Sequence, residues 1–101
     1  MTMQAVIFPG DKKVEIQQVD IPTPGQGEVL IQLKASAICR SDMSLYYGTS
    51  VFGDGNKKAS IIPGHEPAGV ITEVGDGVTT YKAGDRVAVY LALGCGECAH
   101  C

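Results

Sequence analysis

Short runs of alternating apolar and polar residues, each cut off by glycine or proline, restrict this chain more than any other feature. "MQAVIF" (3–8) and "KVEIQQVDI" (13–21) alternate with a period of two, and "PGDK" lies between them. Such a period puts every second side chain on one face of a strand, and the Pro-Gly-Asp segment is turn chemistry, so the pair reads as a hairpin. "IPTPGQGE" then leads into "VLIQLKASAI", which places Val29, Ile31, Leu33, Ala35 and Ala37 on one face of a further strand. "AGVITEV" is a strand closed by the turn "GDGV", and "RVAVYLAL" (86–93) is another, entered through "AGD". Only "CRSDMSLYYG" breaks the alternation; there Ser41 can cap a short helix and Gly48 can end it. Five or more short strands with one short helix predict a mainly β fold, a small barrel or sandwich.

Residues 48–63, "GTSVFGDGNKKASIIP", read as a long polar loop, and a loop of that length is usually functional or mobile. Tyr46, Tyr47 and Phe52 flank or enter it, with packing the expected role rather than lining of a cleft. The glycines Gly69, Gly75, Gly77 and Gly84 are expected to serve turns or close backbone approach. None of them forms the Gly-x-Gly-x-x-Gly turn that cradles a dinucleotide phosphate.

Composition narrows the function classes. A length of 101 residues fits one domain, and 45% hydrophobic with 19% charged residues is ordinary for a globular protein. No apolar run approaches the ~18–20 residues of a membrane span, so no membrane partner is expected. The segment "MTMQAVIFPGD" has no basic region ahead of its apolar stretch, so a secretory signal is not expected and a cytoplasmic location is. Eight basic and eleven acidic residues leave a net charge of −3, which lacks the basic face a nucleic-acid partner requires.

The cysteines carry the chemistry. Three of the four, Cys95, Cys98 and Cys101, crowd into "GCGECAHC". Two disulfides would suit an oxidising compartment, but in a reducing one this spacing favours a metal. A closed structural zinc site takes four ligands, so three thiols leave one position to fill. Cys39, taken alone, reads as a small core hydrophobe and His65 as a surface loop residue. Together they become zinc ligands if the fold joins them. Ser41 has a parallel reading as a helix cap, Asp42 as a first-turn carboxylate and Arg40 as a solvated charge.

The stretch "GHEPAGVITEVGDGV" resembles the zinc signature of the medium-chain zinc-dependent alcohol dehydrogenases, with Gly64, His65, Glu66, Gly69, Gly75 and Val78 at its defined positions. "CRSD" 26 residues before the histidine, "GDRV" after it and the Cys-x-x-Cys-x-x-Cys loop fall in the family's order. The resemblance implies a GroES-like β-barrel with one short helix, here as an incomplete domain. Residues 1–101 would then be the N-terminal part of the catalytic domain, with the nicotinamide-binding Rossmann domain absent from this chain.

The resemblance further implies that Cys39 and His65 are ligands of a catalytic zinc, with Glu66 beside the metal as an occasional ligand. Asp42 is implied to hold the far nitrogen of His65, Ser41 to take the proton from the alcohol, and Arg40 to contact the cofactor pyrophosphate. Cys95, Cys98 and Cys101 are implied to be three ligands of a structural zinc whose fourth cysteine lies beyond Cys101. The implied activity interconverts a small-molecule alcohol and its aldehyde or ketone, with NAD or NADP carrying the hydride, in a homodimer or homotetramer. Ser44 departs from relatives that place a histidine there as the outer member of a proton relay. Two other readings of the chain are a non-catalytic zinc-binding or interaction module and a redox-sensing thiol cluster.

Overall fold

A computed structural model describes residues 1–48 and 61–101. Most of the polar loop expected over 48–63, with Phe52, lies outside the described residues. The described chain is mainly β with one short helix, as the alternation predicts. Its elements are β1 (Thr2–Gly10), β2 (Lys13–Asp20), β3 (Val29–Ser36), α1 (Asp42–Tyr47), β4 (Pro67–Val74) and β5 (Arg86–Ala88). Among the described residues the strands form two sheets, β1-β2 and β3-β4-β5, neither closed on itself. No helix among them is long and apolar enough to cross a membrane.

The β1-β2 hairpin turns at Asp11 and Lys12, both with positive φ (54° and 59°), between the paired Gly10 and Lys13. Two left-handed residues in succession match the right-handed twist of the flanking strands. Helix α1 ends at Gly48, whose φ of 77° lets its N–H reach back to the carbonyl of Leu45. The helix docks on the hairpin: Lys12 N–H donates to the Tyr46 carbonyl at 2.8 Å, and Phe8 meets Tyr46 edge-on at 5.8 Å. Both tyrosines therefore pack, with Tyr46 also against Tyr47.

In the second sheet, β3 and β4 run antiparallel from Val29↔Val74 to Ser36↔Pro67. Gly69 permits this close pairing, because a Cβ there would collide with the Gln32 carbonyl oxygen. Gly75 does the same for the Gly25 carbonyl where the connector crosses the end of β4. Among the described residues the buried hydrophobic side chains are Ala5 and Ile7 of β1 and Ile71 of β4.

Two local expectations change. The alternating face of β3 does not persist: Thr72 is an extra residue on β4 opposite the Leu30–Ile31 step, and Lys34 is an extra residue on β3 between Leu33 and Ala35. Only the bulge at Lys34 moves later β3 side chains to the other face, and residues 32–38 are exposed on both faces, Leu33 at 59%. The strand expected over 86–93 stops at Ala88, paired with Ala68. Its partner β4 begins at Pro67, whose carbonyl takes a last bond from Val89 N–H at 3.0 Å. Beyond that point no strand among the described residues pairs with it, and Tyr90, Leu91 and Leu93 are exposed.

Candidate metal centres

Antiparallel pairing brings the first centre together. The C-terminal end of β3 lies beside the N-terminal end of β4, so Cys39, three residues past Ser36, meets His65, two before Pro67. A bond from Ala37 N–H to the Glu66 carbonyl (3.2 Å) carries the ladder one step further toward both. Ligand atoms of Cys39, His65 and Glu66 consequently lie within 4.8 Å of one another.

The side chains around this group are ordered by named contacts. Ser41 Oγ lies 3.3 Å from Cys39 Sγ and 3.4 Å from His65 Nε2. It makes no capping bond, so Ser41 faces the candidate ligands instead of serving as the expected helix cap. Glu66 Oε2 is 4.0 Å from His65 Nε2. On the far side of the ring, His65 Nδ1 is 3.3 Å from Asp42 Oδ1. Asp42 is buried, at 7% exposure, and the other candidates are not. Its Oδ1 is within ion-pair range of the ring but not aligned as a hydrogen bond, so this buried atom has no hydrogen-bond partner. Oδ2 accepts the Cys39 N–H at 3.0 Å. Arg40 is exposed on the same turn.

The electrostatics favour a ligating pair. The hydroxyl and amide of Ser41, followed by His65, hold the Cys39 thiol below its usual range. The Cys39 sulfur, then the Asp42 and Glu66 carboxylates, hold the His65 imidazole above its own against a desolvation effect. A carboxylate facing Nδ1 favours the proton there and leaves the Nε2 lone pair on the side of the sulfur. A thiolate, an imidazole nitrogen and a carboxylate are ordinary zinc ligands, so the donor set fits that ion. The orphaned Oδ1 behind the ring is the partner a metal-ligating histidine needs.

The second centre is built differently. Cys101 Sγ lies 3.0 Å from Cys98 Sγ and 3.3 Å from Cys95 Sγ, and all three residues are exposed free thiols. Main-chain donors point at the sulfurs, with Cys95 N–H to Cys101 Sγ at 3.1 Å and Glu97 N–H to Cys95 Sγ at 3.4 Å. Hydrogen bonds from Cys98 first, then Cys95, lower the Cys101 thiol to about 6. Cys95 is lowered chiefly by the Glu97 amide. Three thiolates on one short loop suit zinc or another thiophilic ion.

One contact was missed from sequence. The bond from Cys39 N–H to Asp42 ties the turn that carries the first thiol, and Cys-x-x-Asp has the spacing of a capping box. Serine or threonine usually opens that box, which is why a cysteine in the position hides it.

Comparison with known proteins follows the same lines. The alcohol dehydrogenase GroES-like domain family matches residues 25–101. An alcohol dehydrogenase of Moraxella sp. (strain TAE123) is 46% identical over 100 residues, covering 96% of this chain and 28% of that protein. A cobalt- and zinc-bound thermostable alcohol dehydrogenase from Pyrobaculum aerophilum superposes with a TM-score of 0.86 at 37% identity, over 100% of this chain and 30% of that one. An alcohol dehydrogenase from E. coli CFT073 complexed with NADH gives 0.84 at 35% identity, over 99% and 28%. The chain thus spans under a third of the length of these relatives.

Proposed function

Because the chain belongs to the alcohol dehydrogenase GroES-like domain family, we propose that it is the zinc-holding N-terminal part of a cytoplasmic, NAD(P)-dependent alcohol dehydrogenase. Its substrate is a small alcohol, or the corresponding aldehyde or ketone. The observation that carries this reading is the convergence of Cys39, His65 and Glu66 ligand atoms within 4.8 Å, with the buried Asp42 behind the imidazole. Cys39 and His65 would hold a catalytic zinc with Glu66 as an adjacent donor, and Cys95, Cys98 and Cys101 would hold a structural one. Bound in the first centre, zinc supplies a Lewis acid that stabilises negative charge developing on the substrate oxygen.

The chain's own residues do the rest. Asp42 keeps the proton on His65 Nδ1 and so keeps Nε2 available. Ser41 Oγ, on the open side of the centre, accepts the proton that leaves the substrate hydroxyl. Ser44 donates its own hydroxyl to the Ser41 carbonyl at 2.8 Å, so the proton leaves Ser41 by way of solvent rather than through a histidine at this position. A nicotinamide cofactor held chiefly by residues outside this chain would supply the hydride chemistry, and Arg40, on the exposed turn, would meet its pyrophosphate. The working protein is a homodimer or homotetramer of the longer chain.

The test uses the complete parent enzyme and this chain side by side. The parent should reduce NAD or NADP in the presence of a small alcohol. Cys39→Ser or His65→Ala should abolish turnover, and Ser41→Ala should slow it. The 101-residue chain should show no such activity. Full activity in a parent carrying Cys39→Ser would refute the assignment of the catalytic centre.

A further inference from the structure

We propose that Asp42 positions both candidate ligands of the first centre, setting Cys39 through its main chain as well as His65 through its ring. The inference rests on the reading of Cys39 and His65 as metal ligands, and it adds a second, separable task for this buried carboxylate.

The geometry has two arms. One is Oδ1, buried and 3.3 Å from His65 Nδ1. The other is Oδ2, which accepts the Cys39 N–H at 3.0 Å. The second arm follows from how the helix begins. Asp42 N–H bonds to the Cys39 carbonyl at 3.0 Å, Met43 N–H to Arg40 and Ser44 N–H to Ser41, so tight i to i+3 turns lead into α1 from Cys39. Cys39 thus stands where a capping residue stands, and Asp42 returns its carboxylate to the N–H of that residue, as the acidic member of a capping box does. In the usual box the cap's own side chain turns inward onto the helix amides. Here the Cys39 sulfur lies against the amide and hydroxyl of Ser41, on the His65 side. Carboxylate closure supplies the returning half of the box and fixes the main chain of the residue whose sulfur faces the imidazole.

The consequence is mechanical. Cys39 sits on an irregular turn after β3, with no strand ladder of its own. Without the Oδ2 bond the Cys39 N–H loses its partner, the turn keeps only its main-chain i to i+3 bonds, and the sulfur can swing away from the imidazole. A carboxylate buried at the junction of residues 39–42 and 65 therefore fastens two sequence-distant ligands to each other.

A double-mutant design separates the two arms. The full chain carries serine at 95, 98 and 101, so Cys39 is its only thiol, and cobalt(II) is the metal titrated. In the His65→Ala background the imidazole arm is gone. If Asp42 also acts through Cys39, adding Asp42→Ala should weaken cobalt binding roughly five-fold further, about the worth of one hydrogen bond. It should also reduce the sulfur-to-cobalt absorption and speed amide exchange at Cys39. Asp42→Asn in the same background keeps an oxygen for the Cys39 N–H and should restore both signals to the His65→Ala level, which a general loss of folding would not allow. Equal cobalt binding by His65→Ala and His65→Ala/Asp42→Ala would overturn the proposal while leaving the metal reading intact. Absence of any sulfur-to-cobalt absorption in the chain with both His65 and Asp42 present would instead overturn the metal reading, and the proposal with it.

Discussion

Two cysteine amides mark the difference between the two centres. Cys39 N–H points at a buried carboxylate, and Cys95 N–H points at an exposed thiol. The first bond belongs to a centre assembled by strand pairing, where β3 and β4 deliver residues 26 positions apart to one end of a sheet. The second belongs to a loop of seven residues whose sulfurs contact mainly one another. One centre is held in place by the fold that surrounds it. On the proposed reading the other would depend on a bound metal to hold it, as in small zinc modules whose binding energy is folding energy.

The comparison is broken most severely by removing ligands. In the isolated chain, Cys39→Ser or His65→Ala should cost at least about 100-fold in zinc or cobalt affinity at the first centre, the upper end of what outer partners alone contribute. The three-thiol loop should bind as before, read by its separate sulfur-to-cobalt absorption. A change in both centres together would mean that they are not independent.

A backbone substitution should have the next largest effect. Gly69→Ala forces a Cβ onto the Gln32 carbonyl and should destabilise the β3-β4 pair by about 2–3 kcal/mol, at the high end for overpacking. Denaturant unfolding gives the stability, and cobalt affinity should fall at Cys39 and His65 but not at Cys95, Cys98 and Cys101. Equal losses at both would show that the loop also depends on the sheet.

These regions were unequally legible in the sequence. The hairpin, its turn and the helix stop at Gly48 follow from local chemistry, and local chemistry decides them. Strand β5 was overread because a strand is as long as its partner allows, and no single segment shows that Pro67 ends the partner. The two register slips, one residue on β4 and one on β3, hide in the same way, since a bulge is settled by what lies across the ladder. The metal-ligand candidates were legible through their motif order, although only pairing explains why they meet. Ser41 was ambiguous until its hydroxyl was seen against sulfur and imidazole. The Asp42 bond to Cys39 was hidden by a cysteine occupying a serine's place.

Thiol chemistry sharpens the contrast at a smaller scale. In the metal-free chain Cys101, lowered to about 6, is thiolate at neutral pH, and its alkylation by iodoacetamide should be half-maximal near that value. Cys39 owes its lowering first to Ser41, so Ser41→Ala should raise it and slow alkylation of Cys39 a few-fold at neutral pH, leaving the Cys101 profile unchanged. The smallest effect is expected at Lys82, whose ammonium bonds Asp85 at 2.9 Å on the surface. That contact holds the Asp85 carboxyl below its ordinary value. Its contribution is therefore present above the unfolded carboxylate range and fades as pH falls through the folded value. Lys82→Ala should lower the melting temperature slightly at pH 7, less in acid, and change metal affinity at neither centre.

Amide hydrogen exchange of the metal-free and zinc-loaded chains tests the central claim most directly. The account predicts that Cys39 N–H is protected in both states, while Cys95 N–H and Cys101 N–H are protected only when zinc is bound. Exchange at Cys39 as fast as at Cys95 in the metal-free chain would contradict a first centre built by the fold.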